Sequence, residues 1–96
     1  MHVKQLLAPG SMLGTRVATL NGTLLDDGGE VCDVRFQYGT TIAYGTDTAW
    51  QPGKVTGNTF SQLITGLIPH TTYHFRAQAR NSAGIGSGAD ETFNTH

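Results

Sequence analysis

Apolar and polar residues alternate one for one along 73–80. Tyr73, Phe75, Ala77 and Ala79 fall on one side of an extended chain, and His74, Arg76, Gln78 and Arg80 on the other. A period of two marks a strand with one face in a core and one in water. The pattern returns in 16–25, where Ala18, Leu20, Gly22 and Leu24 oppose Thr19, Asn21 and Thr23. It returns again in 31–39, where Cys32, Val34, Phe36 and Tyr38 oppose Asp33, Arg35 and Gln37. Shorter runs over 3–8, 46–50, 59–65 and 90–95, the last with Phe93 inward, complete the predicted strands. In 59–65, Phe60, Gln62 and Ile64 share a face while Leu63 takes the other, which predicts a bulge or an exposed Leu63. Turn signals separate the runs: Pro9-Gly10, Asp26-Asp27-Gly28-Gly29, Gln51-Pro52-Gly53-Lys54 as a type II turn, and Gly57-Asn58. A proline ending the first run places that strand at an edge. Residues 11–15 carry no clear pattern. Gly84-Ile85-Gly86-Ser87-Gly88 predicts a mobile loop, because glycines offer no side chains to pack.

The entry to the 73–80 strand reads Leu67-Ile68-Pro69-His70-Thr71-Thr72-Tyr73. Pro69 fixes its own φ and pushes Ile68 toward extended geometry, so the chain turns before the strand begins. Tyr73 then sits where its ring enters the core and its hydroxyl reaches back to a backbone group of the connection, as in a tyrosine corner. With its exit Ala79-Arg80-Asn81-Ser82-Ala83-Gly84, this segment resembles strand F of a fibronectin type III domain. The wording Phe36-x-Tyr38-Gly39-Thr40-Thr41-x-x-Tyr44-Gly45 is similar to a prokaryotic branch of such domains. The resemblance spans about residues 3–95. It implies an all-β chain: a seven-stranded antiparallel β-sandwich with an immunoglobulin-like Greek key, forming a single domain over 1–96. It also implies structural roles for Leu67, Pro69 and Tyr73 at the corner. The chain departs from the family where Gly22 stands near the position of a usual tryptophan.

Length and composition agree with that class. Ninety-six residues suit one sandwich of about 100. Charged residues are 14% against 38% hydrophobic, which fits short strands and tight turns and excludes a disordered chain. Net charge is −1 with the six Lys and Arg residues dispersed, so no footprint for nucleic acid or an anionic membrane exists. No apolar run is long enough to insert in a bilayer, and Leu6-Leu7-Ala8 is too short for a signal peptide. A single cysteine, Cys32, excludes an internal disulfide; its place in an alternating strand reads as a small core residue rather than a nucleophile.

Little of the chain points to catalysis or cofactors, and no enzyme activity, cofactor or metal is expected. His70 and His74 are four apart, a spacing that shares a metal on a helix but separates the rings by roughly 13 Å on a strand. Asp26, Asp27, Glu30 and Asp33 surround a Gly-Gly turn without the spacing of a calcium loop. No serine sits in a nucleophile elbow, and Gly86-Ser87-Gly88 precedes no helix. Asn21-Gly22-Thr23 is a glycosylation triplet lying inside a strand. Trp50 has two readings. It fills the volume left at Gly22, which close packing favours, or it joins Tyr44 and Tyr38 in an exposed aromatic platform.

The resemblance implies a non-catalytic spacer or interaction module from a larger extracellular or cell-surface protein of a bacterium or archaeon, or from a phage structural protein. Seven reversing strands put the chain ends at opposite poles, as in a bead threaded in series. Neighbouring domains of the parent chain are the expected partners, with the module itself a monomer in isolation. The alternative is recognition of a protein or polysaccharide through Trp50, Tyr44 and the loop bounded by Asn81 and Asp90.

Overall fold

A computed structural model describes residues 2–6 and 16–95, the first segment by its backbone alone. The described chain holds nine strands and no helix: β1 (His2–Leu6), β2 (Ala18–Asp26), β3 (Cys32–Gly39), β4 (Thr46–Asp47), β5 (Gln51–Lys54), β6 (Thr59–Ile64), β7 (Thr72–Asn81), β8 (Gly84–Ser87) and β9 (Glu91–Asn94). All pairings are antiparallel. One sheet runs β1-β2-β6. The other is built on the β3–β7 pair, with β4 and β5 sharing the free side of β3, and β8 and β9 sharing that of β7.

Each alternating run buries its apolar side. Leu20 and Leu24 of β2, Val34 and Phe36 of β3, and Phe75 of β7 are fully enclosed between the sheets. Phe93 of β9 stacks on Tyr73 at 5.5 Å and meets Phe75 edge-on at 5.8 Å. On the inner side toward β8, β7 presents Ala77 and Ala79, and β1 passes close against β7 and β8 there. Small residues let the two backbones approach.

Four sequence expectations need correction. Trp50 is not in the core. The space at Gly22 is taken by Phe60, which lies directly opposite Gly22 in the β2–β6 register and packs on Phe36 with centroids 5.3 Å apart. A glycine facing an aromatic across an antiparallel pair leaves the ring room to lie over it. The turn expected at Pro52-Gly53 is a bulge inside β5. Cys32 pairs with Lys54 but Val34 with Gln51, so one extra residue is absorbed there, with Gly53 at φ 77°. The expected 46–50 strand is only Thr46–Asp47, and Trp50 lies just before β5. The glycine-rich 84–88 stretch is not a loop but β8, joined to β7 by a tight turn at Ser82-Ala83. Strand pairing uses backbone groups, which glycine retains, so absent side chains did not prevent it.

Leu63 is 49% exposed and β6 runs in regular register with β2, the second of the two resolutions open to that strand. Of the first predicted strand, residues 7 and 8 lie outside the described residues, as do the Pro9-Gly10 break and residues 11–15.

The register fixes where the described ends lie. His2 pairs with Asp26, at the pole of the 27–30 and 55–58 turns. The Thr95 amide bonds to the Thr71 carbonyl at 2.9 Å, at the opposite pole beside Ile68 and Pro69. The body between them measures 41 × 24 × 19 Å.

Candidate functional site

The polar positions of β3 and β7 fall side by side on the outward face of the larger sheet. Asp33 opposes Arg80, Arg35 opposes Gln78, and Gln37 opposes Arg76. Each cross-strand pair is joined: Arg80 Nε to Asp33 at 3.2 Å, Arg35 Nε to the Gln78 amide oxygen at 2.9 Å, and Arg76 Nε to the Gln37 amide oxygen at 2.7 Å. The rows are then tied together. Gln78 Nε2 donates to Ser87 Oγ at 3.0 Å, Gln37 Nε2 donates to Asp47 at 2.9 Å, and Asp47 lies 3.4 Å from Arg35. Gln78 is 6% exposed, so this ladder is anchored in the sheet.

Two aromatic rings lie on the ladder at opposite ends. Trp50, half-buried, crosses from the start of β5 and carries the guanidinium carbons of Arg35 and Arg80 at 4.3 and 4.1 Å from its ring. Tyr44 carries Arg76 at 4.8 Å. A cation over an indole face is favourable, so these contacts hold the Trp50 ring against the ladder. Tyr38 does not join them. It points inward, 6.5 Å from the Tyr73 ring, and burial raises its phenol pKa. The three-ring platform, the alternative reading of Trp50, therefore does not form; Trp50 and Tyr44 belong to separate arginine clusters.

The Tyr44 end is held by a conformational device. Tyr44 has φ 60° and Gly45 φ 103°, so the chain from β3 to β4 folds back on itself. A Cβ on Gly39 would run into the Tyr44 carbonyl, which makes glycine obligatory at the end of β3. The Tyr44 hydroxyl donates to Asp90 at 2.8 Å, and the other Asp90 oxygen lies 2.9 Å from His74 Nδ1. Partial burial raises the Tyr44 pKa, and its bond to Asp90 adds to that. For Asp90, burial pushes upward, but the His74 and Tyr44 hydrogen bonds outweigh it and hold the carboxyl below its ordinary range.

At the corner, Leu67 is buried, Pro69 is half-buried, and the Tyr73 hydroxyl accepts the Ile68 N–H at 2.9 Å. His70 occupies the turn before β7 at φ 54°, while His74 is within the strand and bonds to Asp90. At the other pole three carboxylates of the calcium reading are spent on the turns, while the fourth, Asp33, pairs with Arg80. Asp26 accepts the Gly28 amide. Asp27 accepts the amides of Gly29 and Thr56, which lower its pKa, and Glu30 accepts the Ser82 amide and hydroxyl with the same effect. Among the described residues no group of three metal-ligating side chains gathers. Cys32 is buried, its thiol pKa raised first by desolvation, and Asn81 Nδ2 reaches its sulfur at 3.6 Å. Asn21 is half-buried in β2.

Sequence reasoning treated Arg35, Arg76 and Arg80 as ordinary solvent-facing residues and took Asp90 only as the bound of a candidate recognition loop. The signal available was arginine recurring at outward positions of two strands that are neighbours in the sheet.

No family model matches the chain. A stretch of 41 residues, 43% of the chain, is 42% identical to part of neural cell adhesion molecule L1 of Rattus norvegicus and of Mus musculus, and it spans 3% of those proteins' length. Among solved structures, the sensor domain of the anti-sigma factor RsgI4 of Pseudobacteroides cellulosolvens superposes with a TM-score of 0.72 over 98% of this chain and 75% of that one, at 24% identity. A shorter version of that domain gives 0.73 over 97% and 93%, again at 24%. At this identity the likeness shows a shared all-β sandwich and nothing of a ligand. No helix among the described residues is long and apolar enough to cross a membrane.

Proposed function

We propose that this chain is a fibronectin type III-like module of a larger extracellular or cell-surface protein, serving as a non-catalytic spacer that links and presents its neighbouring domains. The observation that carries this reading is the placement of the described ends, His2 and Thr95, at opposite poles of a 41 Å body. Load or position passes through such a domain in line. The fibronectin type III assignment is supported by the split into a three-strand sheet and a second sheet centred on β3 and β7, and by the Tyr73 hydroxyl on the Ile68 amide.

A second reading is favoured by Trp50 standing outside the core. Tryptophan, tyrosine and arginine concentrate at recognition hot spots, and the outward face carries Trp50 on Arg35 and Arg80 at one end and Tyr44 on Arg76 at the other. In this reading the module recognises a protein or polysaccharide there, and the sensor role named for the RsgI4 domains is one a fold of this shape can host. Titration with a panel of polysaccharides, followed by Trp50 emission, separates the two. The spacer reading expects an emission that no sugar moves. A shift on adding one polysaccharide overturns it in favour of recognition.

A further inference from the structure

Among the described residues, two other than glycine hold a left-handed backbone: Tyr44 at φ 60° and His70 at φ 54°. A Cβ makes that conformation uncommon, so each needs its surroundings to hold it. Around His70 the corner does so. The Tyr73 hydroxyl accepts the Ile68 amide, the Thr95 hydroxyl accepts the Thr71 amide, and the Thr71 hydroxyl donates to the Pro69 carbonyl.

Tyr44 is held differently. The backbone bonds of its connection are local: the Tyr44 N–H donates to the Thr41 carbonyl at 3.0 Å and the Ala43 N–H to the Thr41 hydroxyl at 3.2 Å. They shape the turn but do not seat it on the sheet. Residues 40–43 and 45–47 are all exposed, and Tyr44 between them is half-buried. What seats it is its side chain, whose ring lies on Arg76 of β7 and whose hydroxyl donates to Asp90 between β8 and β9. The groups that face Asp90 are His74 and Arg76 from β7 and the Tyr44 phenol; His74 is a cation only when protonated. Glu91 follows Asp90 in β9, and Asp47 reaches this end only through Gln37, which it bonds.

We propose that the 40–45 connection is a latched strap: the Asp90 carboxylate holds Tyr44 across Arg76, and loss of the Asp90 charge lets the strap swing away and bares Arg76 on the outward face. Two opposing tendencies make the strap two-state. The left-handed backbone at Tyr44 favours release, and a charge-assisted hydrogen bond with a ring on a guanidinium favours closure. The direction of control follows from linkage. Burial alone pushes the Asp90 carboxyl upward, and the His74 and Tyr44 bonds bring it below its ordinary range. A closed strap thus favours the charged form, so a proton on Asp90 favours the open strap by the same factor. Closure is fully supported above the ordinary carboxylate value and weakens as pH falls through the depressed one. Release uncovers a cation already fixed in place. Gln37 holds Arg76 Nε at 2.7 Å, and no carboxylate among the described residues stands at ion-pair distance from it, whereas Arg35 and Arg80 have Asp47 and Asp33. The use of that cation rests on the recognition reading of this face; the strap itself does not.

The test is ring-labelled tyrosine NMR as pH is lowered from neutral into the acid range. The chain has three tyrosines, and Tyr38 and Tyr73, packed on each other, report whether the sandwich stays folded. Tyr44 should move to a new position while those two keep theirs. Asp90→Ala at neutral pH should place Tyr44 at that acid position. In the variant, phenylglyoxal should modify Arg76 several-fold faster than in the unaltered chain, with Arg35 and Arg80 unchanged, as read from peptide masses. A Tyr44 that moves only together with Tyr38 and Tyr73 overturns the proposal, and this result needs no variant. So does a Tyr44 that keeps its position in Asp90→Ala, or an unchanged Arg76 reactivity there. A Trp50 emission that no polysaccharide moves would count against recognition and leave each of these outcomes as it stands.

Discussion

At the residue scale, two aromatic side chains show how position decides energetic weight. Tyr73 is 6% exposed, and its hydroxyl accepts the Ile68 amide. Tyr73→Phe keeps the ring and removes that acceptor, so urea denaturation should show a loss of about 1–3 kcal/mol. A loss near zero would mean that water replaces the hydroxyl and that the corner contributes no stability. Trp50 is the larger side chain but rests on the surface between Arg35 and Arg80. Trp50→Ala should therefore cost about 1–2 kcal/mol, the scale of its cation–π contacts, whereas Phe36→Ala, fully enclosed, should cost about 3–5 kcal/mol. Reversal of that order in the denaturation midpoints would return Trp50 to the core. The misplacement of Trp50 from sequence has a clear cause. Volume had to be found for Gly22, and the largest ring was the natural candidate. What decides the matter is the register of β2 against β6, which sets Phe60 opposite Gly22, and alternation within one strand carries no information about its partner's register.

At the scale of elements, strands that bury one regular face were legible and the split edges were not. β2, β3 and β7 announce themselves because apolar side chains must face the core every second residue. β5 and β8 announce nothing, since Pro52-Gly53 and the glycines of β8 carry turn chemistry while pairing through their backbones. The outward ladder was half legible: its residues were assigned to the solvent face, but their joining into rows needs the β3–β7 register. Connections also carry testable detail. Gly39→Ala would drive a methyl group into the Tyr44 carbonyl. It should release the loop, expose Tyr44 and cost about 1–3 kcal/mol; unchanged Tyr44–Asp90 contact in the variant's structure would refute that. At the His2 pole, Asp27 and Glu30 tie three turns together, and both have pKa values lowered by backbone amides, Gly29 first for Asp27 and Ser82 for Glu30. A carboxyl depressed in the folded state stabilises above its unfolded pKa and loses that contribution as pH falls through the folded one. Stability should thus be level above pH about 5 and decline below the ordinary carboxylate range near 4. Asp27→Asn should flatten that acid limb, and an unchanged slope would show that the turn bonds do not track ionisation.

At the scale of the whole molecule, the spacer reading makes a mechanical demand. A domain threaded in series is pulled from its two ends, and what resists depends on how the terminal strands are paired. β1 pairs along β2 from His2↔Asp26 to Leu6↔Asn21, and β9 pairs along β7 from Thr72↔Asn94 to Phe75↔Glu91. With the ends at opposite poles, tension runs along these strands and shears each pair, so its hydrogen bonds carry load together. Tension applied at one pole, through His2 and Gly28, would instead open the β1–β2 pair from one end, one bond at a time. Single-molecule pulling should therefore give a distinctly higher unfolding force for attachments at His2 and Thr95 than at His2 and Gly28. The first geometry should also release the chain in one step, at roughly 3.5 Å per residue freed. Equal forces in the two geometries would mean that the terminal strands detach before the sandwich is loaded. A domain that yields in that way could still display a binding face, but it could not hold its neighbours at a fixed distance, and the outward Trp50–arginine surface would become the better account of what the module does.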